Sequence, residues 1–167
     1  YLFGCTAGLM VIGLATDIGI KLVKLEPAIA ANAVMIIAIF NAVGRIAWGS
    51  ISDKLGRMRS LLLMYILAAA AMLFMSKVAM TYGTFLGACS LVGFCFGGFL
   101  ALFPSITADF YGTKNLGTNY GIIFVAYGTA AIVGPMIGAS IEFVQAFMIS
   151  AVLCLVAAVM TFAVKQP

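Results

Sequence analysis

Six runs of apolar residues, at about 1–20, 28–50, 60–80, 84–107, 119–141 and 146–164, follow one another with only short polar breaks between them. A helix needs about 20 apolar residues to cross the hydrocarbon core of a bilayer, and each run meets or approaches that length. Backbone polar groups find no water inside a membrane, so a spanning segment must be a helix or part of a closed barrel. Strands alternating polar and apolar residues are absent, which excludes the barrel. The chain is 65% hydrophobic and 8% charged, too little polar surface for a water-soluble domain of 167 residues. The expectation is an all-α membrane protein, a single bundle of six transmembrane helices over residues 1–167.

The breaks hold the charges and the turn residues: Asp17 to Pro27, Ser52 to Arg59, Ser76 to Gly83, Ala108 to Gly117, and Glu142 to Gln145. Lys54, Arg57, Arg59, Lys114 and Lys165 fall on one side of the membrane, and Lys21, Lys24 and Lys77 on the other. The positive-inside bias favours a cytoplasmic turn after the second helix and both chain ends in the cytoplasm. The formal charge of +4 does not gather into one face, which argues against a nucleic-acid surface. Cys5, Cys89, Cys95 and Cys154 lie within apolar runs without metal-ligand spacing, and histidine is absent, so the thiols read as small packing residues and no metal or cofactor is implied. The chain opens at Tyr1 directly in apolar sequence and reads as a piece of a longer protein.

Within the second run, Asn41-Ala-Val-Gly-Arg45-Ile-Ala-Trp-Gly49-Ser-Ile-Ser-Asp53-Lys-Leu-Gly56-Arg57-Met-Arg59 places one arginine inside the membrane and a dense charged turn after it. An arginine in hydrocarbon costs from about 2.5 to more than 10 kcal/mol, so Arg45 requires a partner, a water-filled cavity or a route to the interface. It stands about six residues before the polar turn, roughly 9 Å at 1.5 Å per residue. Two fates stay open at this point: its side chain snorkels to the cytoplasmic interface, or it faces a cavity and offers its planar fork to a carboxylate. Asn41, one helical turn earlier, shares its face and can add a hydrogen bond.

The pattern Gly49-x-x-x-Asp53-x-x-Gly56-Arg57-x-Arg59 resembles the signature loop of the major facilitator superfamily. Each position has a physical use. Gly49 permits close helix contact, Asp53 can meet the positive end of the next helix, Gly56 permits a tight turn, and Arg57 and Arg59 can bridge to acidic groups or helix C-termini. Such a cluster can act as a conformational latch. A loop of this kind after the eighth helix implies that the six spans are helices seven to twelve, the C-terminal half of a twelve-helix fold, with the N-terminal six-helix half as partner. The segments from Phe3 to Gly13, Ala38 to Arg45, Ala101 to Gly112 and Thr113 to Gly121 are together similar to the oxalate/formate antiporter family, which includes related monocarboxylate carriers.

In that family the arginine at this place in the eighth helix binds substrate carboxylate, a role the resemblance passes to Arg45. The family's oxalate carriers add a lysine in the eleventh helix, and Tyr127 occupies the matching position here. A neutral phenol donates one hydrogen bond but balances no second negative charge. This departure points to a monocarboxylate such as formate, lactate or pyruvate, unless Tyr127 is an ordinary packing aromatic and the match is off by a turn. The resemblance implies secondary active transport of a small organic anion by alternating access, as exchanger or symporter, in the cell (inner) membrane, and no enzymatic chemistry.

Small residues mark the packing surfaces. Gly93 and Gly97 form a GxxxG pair, and Gly134, Pro135 and Gly138 cluster in the fifth span, where they serve either tight packing or a hinge. Phe96, Phe99 and Phe103 recur at helical spacing and read first as packing, with cavity lining as the other use. Asp17, Glu26, Asp53, Asp109 and Glu142 all lie at segment ends, so none is a midmembrane proton carrier. Oxalate/formate exchange, a sugar or drug carrier of another superfamily branch, and a noncatalytic membrane assembly unit are the competing readings.

Overall fold

The computed structural model describes residues 1–164, and Lys165, counted above among the cytoplasmic cations, lies outside them. Six helices of spanning length and composition are present: α1 (Leu2–Lys21), α3 (Asn32–Leu55), α4 (Arg57–Lys77), α5 (Tyr82–Tyr111), α6 (Leu116–Ser140) and α7 (Phe143–Ala163), with a four-residue helix, α2 (Pro27–Ala30), leading into α3. No strand occurs among the described residues.

Several helices outrun the apolar segments that announce them. α3 continues through the polar residues to Leu55, and α4 begins at Arg57, so the expected break from Ser52 to Arg59 narrows to Gly56 alone. Gly56 adopts φ +91°, a conformation open to glycine and costly for other residues. α5 runs on to Tyr111 and stops at Gly112, which also has positive φ. Leaving the hydrocarbon core does not end a helix; a residue that abandons helical φ/ψ does. At its other end α5 is capped by Thr81 and Thr84, whose hydroxyls satisfy each other's backbone N–H groups.

The main packing partners are distant in sequence: α3 lies on α5, α4 on α7, and α1 on α6. Glycine and alanine make these approaches possible. The Gly93 and Gly97 face of α5 meets the α3 backbone at Ile37 and at Asn41 and Arg45, and Gly44 of α3 meets the α5 backbone at Phe94. A methyl on Gly97 would collide with the Asn41 carbonyl oxygen and stand 3.1 Å from the Arg45 nitrogen. Gly134 of α6 likewise meets the α1 backbone at Thr6 and Met10, and Gly138 meets the side chains of Leu14 and Met10. Apolar helices gain little from hydrophobic burial in lipid, so such backbone contact is what joins them. Cys5, Cys89, Cys95 and Cys154 are free thiols buried in this packing.

Burial is uneven. The best apolar window of each of α1, α4, α5 and α7 is 44% to 61% buried inside the chain, whereas the second span, Pro27–Leu55, is 22% buried and α6 only 17%. The two open helices carry the residues singled out from sequence.

Candidate functional site

Arg45 lies ten residues before the end of α3, about 15 Å along the helix axis at 1.5 Å per residue. The helix end is thus farther from Arg45 than the 9 Å expected, because the charged turn is itself helical and lengthens α3 beyond the arginine; the distance from Arg45 to the polar residues of the turn is unchanged. Side chains on a helix lean toward its N-terminus. For Arg45 that direction is away from the charged turn and deeper into the span. Its Nε donates a hydrogen bond to Asn41 Oδ1 at 3.2 Å, one turn toward the helix start. Arg45 is exposed on the open face of α3 and takes part in no ion pair among the described residues. Among the described residues its guanidinium has no partner of opposite charge.

Tyr127 sits half-buried on α6, a helix that makes no contact with α3. Both helices lean on the same short stretch of α5. Gly97 abuts the backbone of Asn41 and Arg45, and the ring of the preceding residue, Phe96, stands 6.2 Å from that of Tyr127. Arg45 and Tyr127 are therefore at about the same level on two helices that both pack against α5. Tyr127 stacks on Phe124 with ring centroids 4.7 Å apart, and Phe124 in turn meets Tyr120 at 5.4 Å. Sequence reasoning missed Phe124 and Tyr120, although Tyr120, Phe124 and Tyr127 follow an i, i+4, i+7 spacing that places them on one helix face. Phe96 and Phe99 are buried at 3% and 1% exposure, so packing is their main role, and Phe103 stacks on Tyr1 at 4.1 Å.

A cavity of about 400 Å³ lies at the end of the bundle that holds Met58, between Tyr1, Phe3, Tyr65, Phe110 and Val164. It contains no charged side chain and none of Arg45, Asn41 or Tyr127. An anion would have no side-chain counter-charge there.

The charged turn is organised by Arg57. Its Nη1 donates to Ser52 Oγ at 2.5 Å and to Asp53 Oδ1 at 2.6 Å, and its Nε donates to Asp109 Oδ2 at 3.3 Å. The ends of α3 and α5 are thereby tied to the start of α4. Asp53 meets the start of α4 through this side chain, and the partner 52 positions away, Asp109, was not foreseen. Two expectations do not hold within the described residues. Arg59 makes no ion pair and is exposed, and a methyl on Gly49 would meet nothing within 4 Å, so Gly49 makes no close helix contact inside this chain.

Exposed ion pairs are worth less than about 1 kcal/mol each and weaken in salt. Arg57→Ala removes three acceptors' shared donor, whereas Asp109→Asn removes one ion pair. We expect the thermal midpoint of the purified protein to fall more for Arg57→Ala than for Asp109→Asn, with the difference shrinking in high salt. Equal shifts at both salt concentrations would contradict the shared-donor geometry.

A family model described as Major Facilitator Superfamily matches residues 1–167, the whole chain. The chain belongs to the Major Facilitator Superfamily. Six spanning helices fit a half of that superfamily's twelve-helix fold, and the chain is part of a multi-pass membrane protein. Among its relatives, an uncharacterised MFS-type transporter of Escherichia coli K12, YhjX, is 38% identical over 132 residues, 79% of this chain and 33% of that protein. An oxalate:formate antiporter of Oxalobacter formigenes is 34% identical over 134 residues, 77% of this chain and 32% of its own length. An apicoplast pyruvate carrier, number 2, of Toxoplasma gondii is 39% identical over 84 residues, 50% of this chain and 13% of the carrier. The chain thus spans about a third of the length of the first two superfamily relatives. These relatives are named as transporters and carriers, not as enzymes.

Proposed function

We propose that residues 1–167 form the C-terminal half of a carrier that moves a small monocarboxylate across the cell membrane by alternating access, with both ends of this segment in the cytoplasm. The observation that carries the reading is Arg45: a guanidinium within the apolar part of a spanning helix, about 15 Å from the helix end, oriented by Asn41, exposed on the open face and without a carboxylate among the described residues. A bound carboxylate supplies the missing charge through two parallel hydrogen bonds. Tyr127 offers one further donor from the facing helix.

The partner is the N-terminal six-helix half. α3 and α6 are the open spans, and methyls on Gly49, Gly117, Gly121 and Gly128 would all meet empty space, which suits close approach by helices outside this chain. Substrate held between halves becomes accessible to one side and then the other as the halves rock. In this account Arg57, Asp53 and Asp109 act as a latch at the cytoplasmic ends, aided by the turn at Gly56, and Pro135 between Gly134 and Gly138 is a hinge candidate on α6. Arg59 has no assigned contact in the latch. Exchange of one anion for another fits the lack of a mid-span acidic residue here, and symport would need a proton-carrying carboxylate in the other half.

Oxalate/formate exchange is the second reading, favoured by the antiporter relative. It requires a second cation, and the resemblance aligns Tyr127 with the position where the family's oxalate carriers have a lysine. Counterflow in liposomes containing the complete carrier separates the two. Labelled pyruvate should accumulate against internal lactate or pyruvate, with external oxalate competing at least tenfold less well. Strong oxalate exchange would contradict the monocarboxylate assignment.

A further inference from the structure

At the end of the bundle opposite the charged turn, α1 and the connection from α6 to α7 border a second cavity, of about 420 Å³. Asp17 and Lys21 of α1 line it, and so does Glu142, the residue that leads into α7. Lys21 pairs with Asp17 of its own helix at 3.7 Å, and both side chains are at least half exposed. An exposed pair of this kind contributes little, so Lys21 leaves it at small cost. Glu142 makes no ion pair among the described residues, and its side chain makes no capping bond to α7. Lys24, the next cation along the chain, does not line the cavity. One cation thus shares a cavity with two carboxylates, one on its own helix and one on the neighbouring connection.

The contact between α6 and α1 loosens toward this cavity. A methyl on Gly134 would stand 2.6 Å from the Thr6 carbonyl oxygen and 3.0 Å from the Met10 nitrogen, so backbone meets backbone there. At Gly138 the nearest atoms belong to the side chains of Leu14 and Met10, and beyond it the cavity opens. Between the two glycines Pro135 offers no N–H to the carbonyl of Ala131, which removes one bond from the helix at that turn. Resting on the carrier reading above, we infer that the end of α6 and the start of α7 swing on Pro135 toward α1 during the transport cycle, and that Lys21 then exchanges Asp17 for Glu142. The cavity is the space that this motion consumes, and the bridge from Lys21 to Glu142 holds the closed arrangement. Since α6 is one of the two open spans, its swing moves a wall of the proposed passage.

The test is the distance between spin labels on Lys24→Cys and Gln145→Cys in the complete carrier in liposomes, with any cysteines in the rest of the carrier replaced. Both positions are exposed and neither lines the cavity, so the labels leave it free to close. Two distances should be present, and saturating pyruvate should change the population of the shorter one at least twofold. Glu142→Gln and Lys21→Gln should each deplete the shorter distance at least twofold. Asp17→Asn, which removes the competing carboxylate, should enrich it by a similar factor. A merely structural role would move all three variants in the same direction. A single distance in every sample, or Asp17→Asn and Glu142→Gln shifting the populations alike, would overturn the switch while leaving the Arg45 site untouched. Two distances that answer to these substitutions but not to pyruvate, lactate or formate would overturn the monocarboxylate reading and leave the switch standing.

Discussion

Arg45→Gln in the complete carrier should reduce monocarboxylate uptake to background. Removing one partner of a desolvated, hydrogen-bonded charge pair costs about 2 to 5 kcal/mol, which is roughly 30-fold to several thousandfold in affinity. Arg45→Lys keeps the charge but loses the planar fork, so uptake should persist at a clearly lower affinity. The fold should tolerate both changes, because Arg45 is exposed and its hydrogen bond to Asn41 is the one side-chain bond it makes among the described residues. Insertion, yield and thermal midpoint are therefore the controls, and uptake of labelled pyruvate is the readout. Full activity of Arg45→Gln would remove Arg45 from the site.

Gly97→Val should break the bundle where α3 meets α5. Even an alanine methyl at Gly97 would overlap the Asn41 carbonyl oxygen and approach its carbon to 2.9 Å, and backbone cannot rotate out of the way as a side chain can. Overpacking of this kind typically costs about 1 to 3 kcal/mol, and a β-branched side chain enlarges the conflict. Gly97→Ala should lower the thermal midpoint by several degrees, and Gly97→Val should abolish folded protein in detergent. Gly87→Ala on the same helix is the matched control, since its new methyl meets nothing within 4 Å and helix propensity favours alanine by about 1 kcal/mol. A Gly97→Ala protein as stable as Gly87→Ala would show that α3 and α5 are not in backbone contact.

The six spans were legible in the sequence because the length of an apolar run is set by bilayer thickness, a constraint that each segment meets alone. Helix ends were less legible. The polar residues Ser52 to Leu55 look like a break yet stay helical, since water and headgroups accept a helix as readily as a loop. The distance from Arg45 to the end of its helix was underestimated for that reason. Gly93, Gly97, Gly134 and Gly138 announced close packing, but their partners did not follow from spacing, and Gly44 became visible only with Phe94 against it. Arg57 was foreseen as a bridge, whereas Asp109 was not, because tertiary folding alone brings the end of α5 to the start of α4. Likewise Arg45 could be singled out from its burial cost, while the level it shares with Tyr127 depends on α5 standing between them.

The central claim, that Arg45 faces a water-filled site occupied by substrate, is tested most directly one turn away from the arginine itself. Ala42 is exposed and lies three residues before Arg45 on the same face of α3. The four cysteines of these residues are buried, so with any cysteines in the rest of the carrier replaced, a charged, water-soluble thiol reagent should report on Ala42→Cys with little background. In the complete carrier, Ala42→Cys should react with this reagent, and saturating pyruvate should slow the reaction severalfold. A cysteine there that never reacts, or that reacts at the same rate with and without pyruvate, would place this face in lipid or in a protein interface and contradict the account.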